Sequence, residues 1–138
     1  MEDLSLHILD IVENSIRAGA EHVTVKLDEK EDILLLTIED DGEGMDSVGL
    51  EKVSSPFFST KEGKNFGLGV SLLRYAVLET GGCFEINSAV GEGTRISASF
   101  IRNHPDMKPL GDVSLTMKML RLSHPGIDFT YEFTGNSA

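Results

Sequence analysis

The sequence predicts an α/β domain in two layers, a mixed, mostly antiparallel sheet with helices on one face. Three observations carry that prediction. Residues 4–20 and 68–79 hold apolar side chains at helical spacing. Each of these stretches is followed by two alternating or apolar runs joined through a turn, which is the pattern of a hairpin. Each helical stretch carries an apolar stripe backed by polar residues, so it covers one side of a sheet.

The first helix runs from Leu4 to Ala20, LSLHILDIVENSIRAGA. Leu4, Ile8, Ile11, Val12, Ser15 and Ile16 fall on one side, and Asp10, Glu13, Asn14 and Arg17 on the other, with Gly19 as terminator. A solvated face is the ordinary reading of that polar side. His22 to Leu27 alternates, with Val23, Val25 and Leu27 sharing a face, and 28–32 is a charged turn. Ile33 to Asp40 returns antiparallel. Leu34, Leu36 and Ile38 share one face and Asp40 is next in that register, so the strand aims a carboxylate toward the core side. A buried carboxylate needs donors; the alternative is that the strand stops short and Asp40 joins the turn.

Asp40-Asp41-Gly42-Glu43-Gly44-Met45 follows, with glycines that permit a tight turn and close approach of a ligand. Val48 to Val53 is a short helix and Ser54 to Asn65 a loop, with Phe57 and Phe58 under it and Lys61 and Lys64 among its polar residues. Gly67-Leu68-Gly69 opens the helix 68–79, whose stripe is Leu68, Leu72, Leu73, Ala76 and Val77. Unpaired N–H groups, the helix dipole and the missing Cβ make such a start suitable for an anion. Gly81-Gly82 ends the helix, and Phe84 to Ser88 and Thr94 to Ile101 form the second hairpin through Val90-Gly91-Glu92-Gly93. After the connector 103–109 a helix runs from Asp112, its N-cap, to Leu122, with Leu115, Met119 and Leu122 as its core face. Pro125-Gly126 turns into a strand, Ile127 to Phe133. The turn signal at 134–136 has no return strand behind it. The chain is therefore expected to be shortened, or to take a strand from a partner.

The 138 residues suit one fold, and 40% hydrophobic residues suffice for a core. A net charge of −11 argues against a basic surface for nucleic acid. The lone Cys83 excludes an internal disulfide, fits a reducing compartment, and reads as a small buried residue at a strand start. No run approaches a membrane span and the start lacks signal-peptide character, so a cytoplasmic protein is expected. His7, His22, His104 and His124 lack zinc-ligand spacing and read as structural or surface residues.

The order Asp10-x-x-x-Asn14, Asp40-x-Gly42-x-Gly44, Pro56-Phe57-Phe58-Ser59-Thr60-Lys61, Gly67-Leu68-Gly69 and Gly91-x-Gly93-Thr94 resembles the ATP-binding domain of the GHKL superfamily, shared by gyrase, heat-shock chaperones, sensor histidine kinases and MutL. The resemblance covers about residues 4 to 101, and it implies the Bergerat fold. The Pro-Phe-Phe-Ser-Thr-Lys and Gly-Glu-Gly-Thr segments look most like the histidine kinase branch, whereas Asn-Ser-x-x-Ala-Gly-Ala looks more like MutL.

The resemblance implies that ATP and Mg²⁺ are the cofactors. Asn14 would ligate Mg²⁺ through its side-chain oxygen, as a hard cation prefers. Asp40 would accept from the adenine amino group, Gly44 would let the backbone approach the base, Gly42 would belong to the same nucleotide-binding segment, and Thr94 would sit near the adenine beside Asp40. Lys61 and the Gly67, Leu68 and Gly69 backbone would hold the β and γ phosphates, with Arg17 close by. Asp10 takes the position of the catalytic base, where hydrolysing branches usually have Glu and histidine kinases Asn; Glu13 is the runner-up. Asn65-Phe66 stands where the kinases often have another glycine before Gly67, and the ATP lid that the resemblance implies between Phe58 and Phe66 is short.

Only three residues precede Leu4, so the chain reads as a stand-alone module without a phospho-accepting His segment, similar in architecture to the anti-sigma-factor kinases. Residues 1–102 would be the ATP-binding domain and 103–138 an extension on it, the partner-specific part. The function implied is Mg-ATP binding with slow hydrolysis or γ-phosphoryl transfer to a partner protein. The alternative is a nucleotide-sensing module with negligible chemistry. A homodimer or heteromer fits either, with no nucleic acid or membrane partner.

Overall fold

A computed structural model describes residues 3–45 and 68–135. The expected helix at 48–53, the loop carrying Phe57, Phe58, Lys61 and Lys64, and Gly67 lie outside the described residues. The order is α1 (Leu4–Arg17), β1 (His22–Lys30), β2 (Ile33–Asp40), α2 (Leu68–Glu79), β3 (Cys83–Ala89), β4 (Gly93–Ile101), α3 (Val113–Ser123) and β5 (Asp128–Thr134). The strands form one sheet in the order β3-β4-β2-β1-β5. All neighbours are antiparallel except β1 and β5. This is the two-layer, mostly antiparallel α/β fold that the sequence predicts.

Alternation decides which sheet face meets the helices. Val23, Val25 and Leu27 of β1, Leu34, Leu36 and Ile38 of β2, and Ile96, Ala98 and Phe100 of β4 are buried. Against them lie Leu4, Ile8, Ile11 and Val12 of α1 and Val70, Leu73, Ala76 and Val77 of α2. Burial of such side chains stabilises a fold by about 1.5–3 kcal/mol each before conformational entropy is subtracted. Leu72, expected in the α2 stripe, is 39% exposed, and Val70 takes the inward place.

Residues 103–112 close the start of α1. Leu4 N–H donates to the Pro109 carbonyl at 2.9 Å and Ser5 N–H to the Leu110 carbonyl at 3.0 Å. Asp3 is the N-cap, its carboxylate accepting from Leu6 N–H at 3.1 Å and the Ser5 hydroxyl at 2.6 Å. The orphan donors of the first turn are thus satisfied from outside the helix. At the other end α1 stops at Arg17, and Gly19 has the left-handed φ of 82°.

Two further expectations are corrected, the buried face of α3 and the burial of Cys83. In α3, capped by Asp112 as expected, the buried face is Val113, Met117 and Leu120. Leu115, Met119 and Leu122 are 51%, 58% and 73% exposed. Both rows have i, i+4, i+7 spacing, so periodicity alone did not choose between them. The last strand is not antiparallel like the others: α3 carries the chain back so that β5 runs parallel to β1, at the edge of the sheet, Val23 opposite Phe129 and Val25 opposite Tyr131. Cys83 is exposed, because it starts the outermost strand, on the face away from the helices.

Candidate functional site

A cleft opens where α1 and the start of α2 meet the ends of β2 and β4; its sheltered floor has a volume of about 40 Å³, and above that it is open to solvent. Ile11, Ile38, Met45, Val70 and Ile96 give it apolar walls, while Asn14, Ser15, Asp40 and Thr94 supply the polar groups. An apolar slot with few convergent polar groups is the usual form of a small-molecule site.

Asp40 sits there because β2 keeps its alternation to the last residue. It follows Ile38 on the inward register and pairs across the ladder with Thr94. Two donors fix its carboxylate: the Ser15 hydroxyl at 2.7 Å and the Gly42 N–H at 2.9 Å. Ser15, expected only as part of the apolar face, is a polar member of the site. Ser88 was not singled out in the sequence. Its hydroxyl accepts from Met45 N–H at 2.8 Å and lies 2.8 Å from the Thr94 hydroxyl and 3.0 Å from the Gly93 carbonyl. It ties the cleft wall to the β3–β4 turn. A lone Ser in a strand gives no sequence signal for such a role.

The glycines have local reasons as well. Gly44 has φ 73°, and a Cβ there would collide with the Ala89 carbonyl; Gly93 has φ 89°, and its Cβ would collide with the Asp40 carbonyl. The two turns interlock, Gly91 N–H donating to the Glu43 carbonyl at 2.8 Å. Gly42 is confined between Asp40 and the Ala18 carbonyl.

The polar side of α1 divides in two. Asn14 lines the cleft, and its side-chain oxygen accepts from the exposed Arg17 guanidinium at 2.8 Å. Gly69, in the first turn of α2, lies so close to α1 that a Cβ would come within 3.2 Å of the Asp10 Cβ and 3.7 Å of the Asn14 amide nitrogen. Asp10 and Asn14 therefore face the start of α2. Glu13 faces elsewhere: its carboxylate is 3.3 Å from Nε2 of His124, at the C-cap of α3. Of the two acids considered as base, Asp10 is the one beside Gly69, though it does not itself line the cleft. The structure places Asn14, Asp40 and Thr94 on the cleft, with Arg17 bonded to Asn14, Gly42 to Asp40, Gly69 beside Asp10 and Asn14, and Gly44 against the β3–β4 turn. Lys61 and Gly67 lie outside the described residues, and Leu68 begins α2.

Below the cleft Asp41 caps the start of β1, accepting from Glu21 N–H at 2.8 Å, His22 N–H at 2.9 Å and His22 Nδ1 at 2.8 Å. The backbone and ring donors of His22 hold its carboxyl down at about 2, and Asp41 in turn raises the His22 imidazole.

Comparison with known proteins identifies the architecture. Residues 2–104 match the family described as histidine kinase-, DNA gyrase B- and HSP90-like ATPase. The chain belongs to that family. Among its relatives, sensor kinase CckA of Brucella abortus is 44% identical over 64 residues, which are 46% of this chain and 7% of that protein. Sensor histidine kinase ZraS of Salmonella typhimurium is 29% identical over 89 residues, 62% of this chain and 19% of that one. The chain thus corresponds to a small part of these curated relatives. The ATPase domain of Aquifex aeolicus MutL complexed with ADP superposes with a TM-score of 0.66 at 19% identity, over 98% of this chain and 61% of that one. The fold is the GHKL α/β fold, and ATP binding is the common property of the family. Among the described residues no helix is long and apolar enough to cross a membrane.

Proposed function

We propose that the cleft binds Mg-ATP and that the domain hydrolyses it slowly or passes its γ-phosphoryl group to a partner protein. The observation that carries this reading is the Asp40 carboxylate, fixed by Ser15 and Gly42 at the edge of an apolar slot. A carboxylate so held presents a fixed acceptor to an exocyclic amino group, and its apolar walls suit a flat ring. Thr94 stands beside it on the next strand. A guanine carbonyl at the same place would meet a negative oxygen, so adenine is the base selected.

The residues present fit the metal. Asn14 offers a neutral oxygen of the hard type that Mg²⁺ accepts, in exchange for its Arg17 hydrogen bond. Bound Mg²⁺ would neutralise phosphate charge. Arg17, released, would pair with phosphate oxygens, as would Lys61. The dipole of α2, positive at its start, would favour the same anion. Asp10 would orient the nucleophile, a water or a partner hydroxyl. The new bond forms at the γ-phosphorus as the bond to the β–γ bridging oxygen breaks, ADP leaves, and the nucleophile's proton passes to Asp10 or solvent. Asp10 is exposed and shorter than Glu, which favours a slow reaction. It also supports the second reading, a nucleotide-sensing module in which ATP changes partner affinity without turnover. Either reading belongs in the ATP-containing cytoplasm.

The test is calorimetric titration of Mg-ATP into wild type and Asp40→Asn, followed by chromatography of the recovered nucleotide. Wild type should bind, and Asp40→Asn should bind about a hundredfold more weakly through loss of a charge-assisted hydrogen bond. Recovered ADP, reduced in Asp10→Asn, supports the enzyme; ATP recovered whole supports the sensor. Equal binding by wild type and Asp40→Asn would overturn the adenine assignment.

A further inference from the structure

The sheet ends on one side at β3, and we infer that this edge is an interface with a second copy of the chain, the two β3 strands pairing antiparallel about Ile86. β3 is the terminal strand, with β4 on one side and no other strand on its far side among the described residues. Natural edges are usually blunted by Lys, Pro, bulges or a covering element. β3, CFEINSA, has none of these residues and a single charge, Glu85. The opposite edge differs: β5 carries Asp128 and Glu132, and Arg121 of α3 reaches over to donate to the Phe129 carbonyl at 3.5 Å.

The β3 edge also has an apolar shelf. Phe84 and Ile86, on the helix side of the strand, are only half-buried because no further strand flanks them. Arg74 of α2 shares a surface trough with both. Leu78, one turn beyond Arg74, is 46% exposed and Tyr75 is 63% exposed. An antiparallel partner strand would bring a second α2 to this shelf.

The sequence of the strand selects its own copy. β3 spans Cys83–Ala89, so Ile86 is its midpoint. Full-length self-pairing sets Ile86 against Ile86, Phe84 against Ser88, and Glu85 against Asn87, twice by symmetry. Each carboxylate then meets an amide, and no like charges oppose. A shift of the axis to Glu85 would oppose two carboxylates. The register that uses the whole strand is therefore also the one with matched charge, and it makes a closed, isologous dimer with a continuous sheet.

The test uses the full chain. Sedimentation equilibrium should show a wild-type dimer. A nitroxide on the native Cys83, six residues from its symmetry partner's register position, should report a Cα separation of about 20 Å. Asn87→Glu, on the exposed outer face where Arg95 is its neighbour within the chain, keeps the fold and opposes Glu85 with a second carboxylate; it should weaken association about tenfold. Ile86→Lys, with folding checked by circular dichroism, should be monomeric. A wild-type monomer overturns the interface and leaves the edge to an extended peptide. A dimer with another Cys83 separation, or one indifferent to Asn87→Glu, overturns the register.

Discussion

The two ends of α1 treat buried polar groups in opposite ways. At the cleft end Ser15 is 5% exposed and its hydroxyl is used: it bonds the Asp40 carboxylate at 2.7 Å and lies 3.2 Å from the Ile11 carbonyl. At the other end His7 is 1% exposed, and neither ring nitrogen has a hydrogen-bond partner among the described residues. Burial pushes the His7 imidazole down to about 4, with the Lys108 ammonium adding to the effect. One end has satisfied its polar groups and made a site of them. The other bears an uncompensated cost, of the kind worth about 1–3 kcal/mol for each buried group left unpaired.

The sharpest way to break this contrast is acid. His7 is neutral in the folded chain down to about pH 4, whereas the unfolded chain protonates it near the ordinary 6.5. Between those values the unfolded state binds more protons, so stability falls as pH falls from about 6.5 to 4 and levels off below. The full loss is about 3 kcal/mol. Denaturant unfolding of wild type and His7→Leu across that range should diverge by this amount; a pH-independent difference would show that His7 finds a proton partner on folding. At pH 7.5 the same substitution should be the next largest effect, a gain of about 1–2 kcal/mol, since an apolar side chain of similar volume replaces two unpaired nitrogens. A loss there would mean the ring is satisfied.

Ser15→Ala tests the satisfied end and should cost less, about 1 kcal/mol of stability, because Asp40 keeps its Gly42 N–H and part of its solvent. Its mark is in binding. With one of two donors gone the carboxylate loses its fixed orientation, and Mg-ATP affinity should fall about fivefold while Asp10-dependent turnover of bound nucleotide is unchanged. Unchanged affinity would make Ser15 a packing residue only.

Much of this was legible in the chain, and the misses share a cause. α1 and β2 were readable because each has one apolar row, and the row's phase fixes where Asn14 and Asp40 point. α3 has two rows, Val113–Met117–Leu120 and Leu115–Met119–Leu122, and the choice between them is made by packing. The parallel pairing of β5 with β1 is likewise tertiary: nothing local in DFTYEFT distinguishes it from an antiparallel strand. Ser15 and Ser88 were missed as site members because a small hydroxyl residue is compatible with an apolar face, and its use depends on a partner that sequence separation hides. Asp40 lies 25 residues from Ser15, and Met45 lies 43 from Ser88.

His22 gives the smallest test and reverses the sign of His7. It is exposed, and Asp41 accepts from its Nδ1 at 2.8 Å, with Asp128 3.8 Å from Nε2. The Asp41 hydrogen bond, then its charge, raises the imidazole above its ordinary 6.5. Its contribution is therefore present below about pH 6.5 and is lost as pH rises through the folded value, opposite to the slope from His7. Solvent screening keeps the effect slight, so the measurement is a titration of the His22 ring protons by NMR. The midpoint should lie above 6.5 and return toward it in Asp41→Asn, while the His7 ring holds its acidic midpoint in both proteins. If both midpoints moved together, the ends of α1 would be electrostatically coupled, and the separation of a satisfied end from an unsatisfied one would fail.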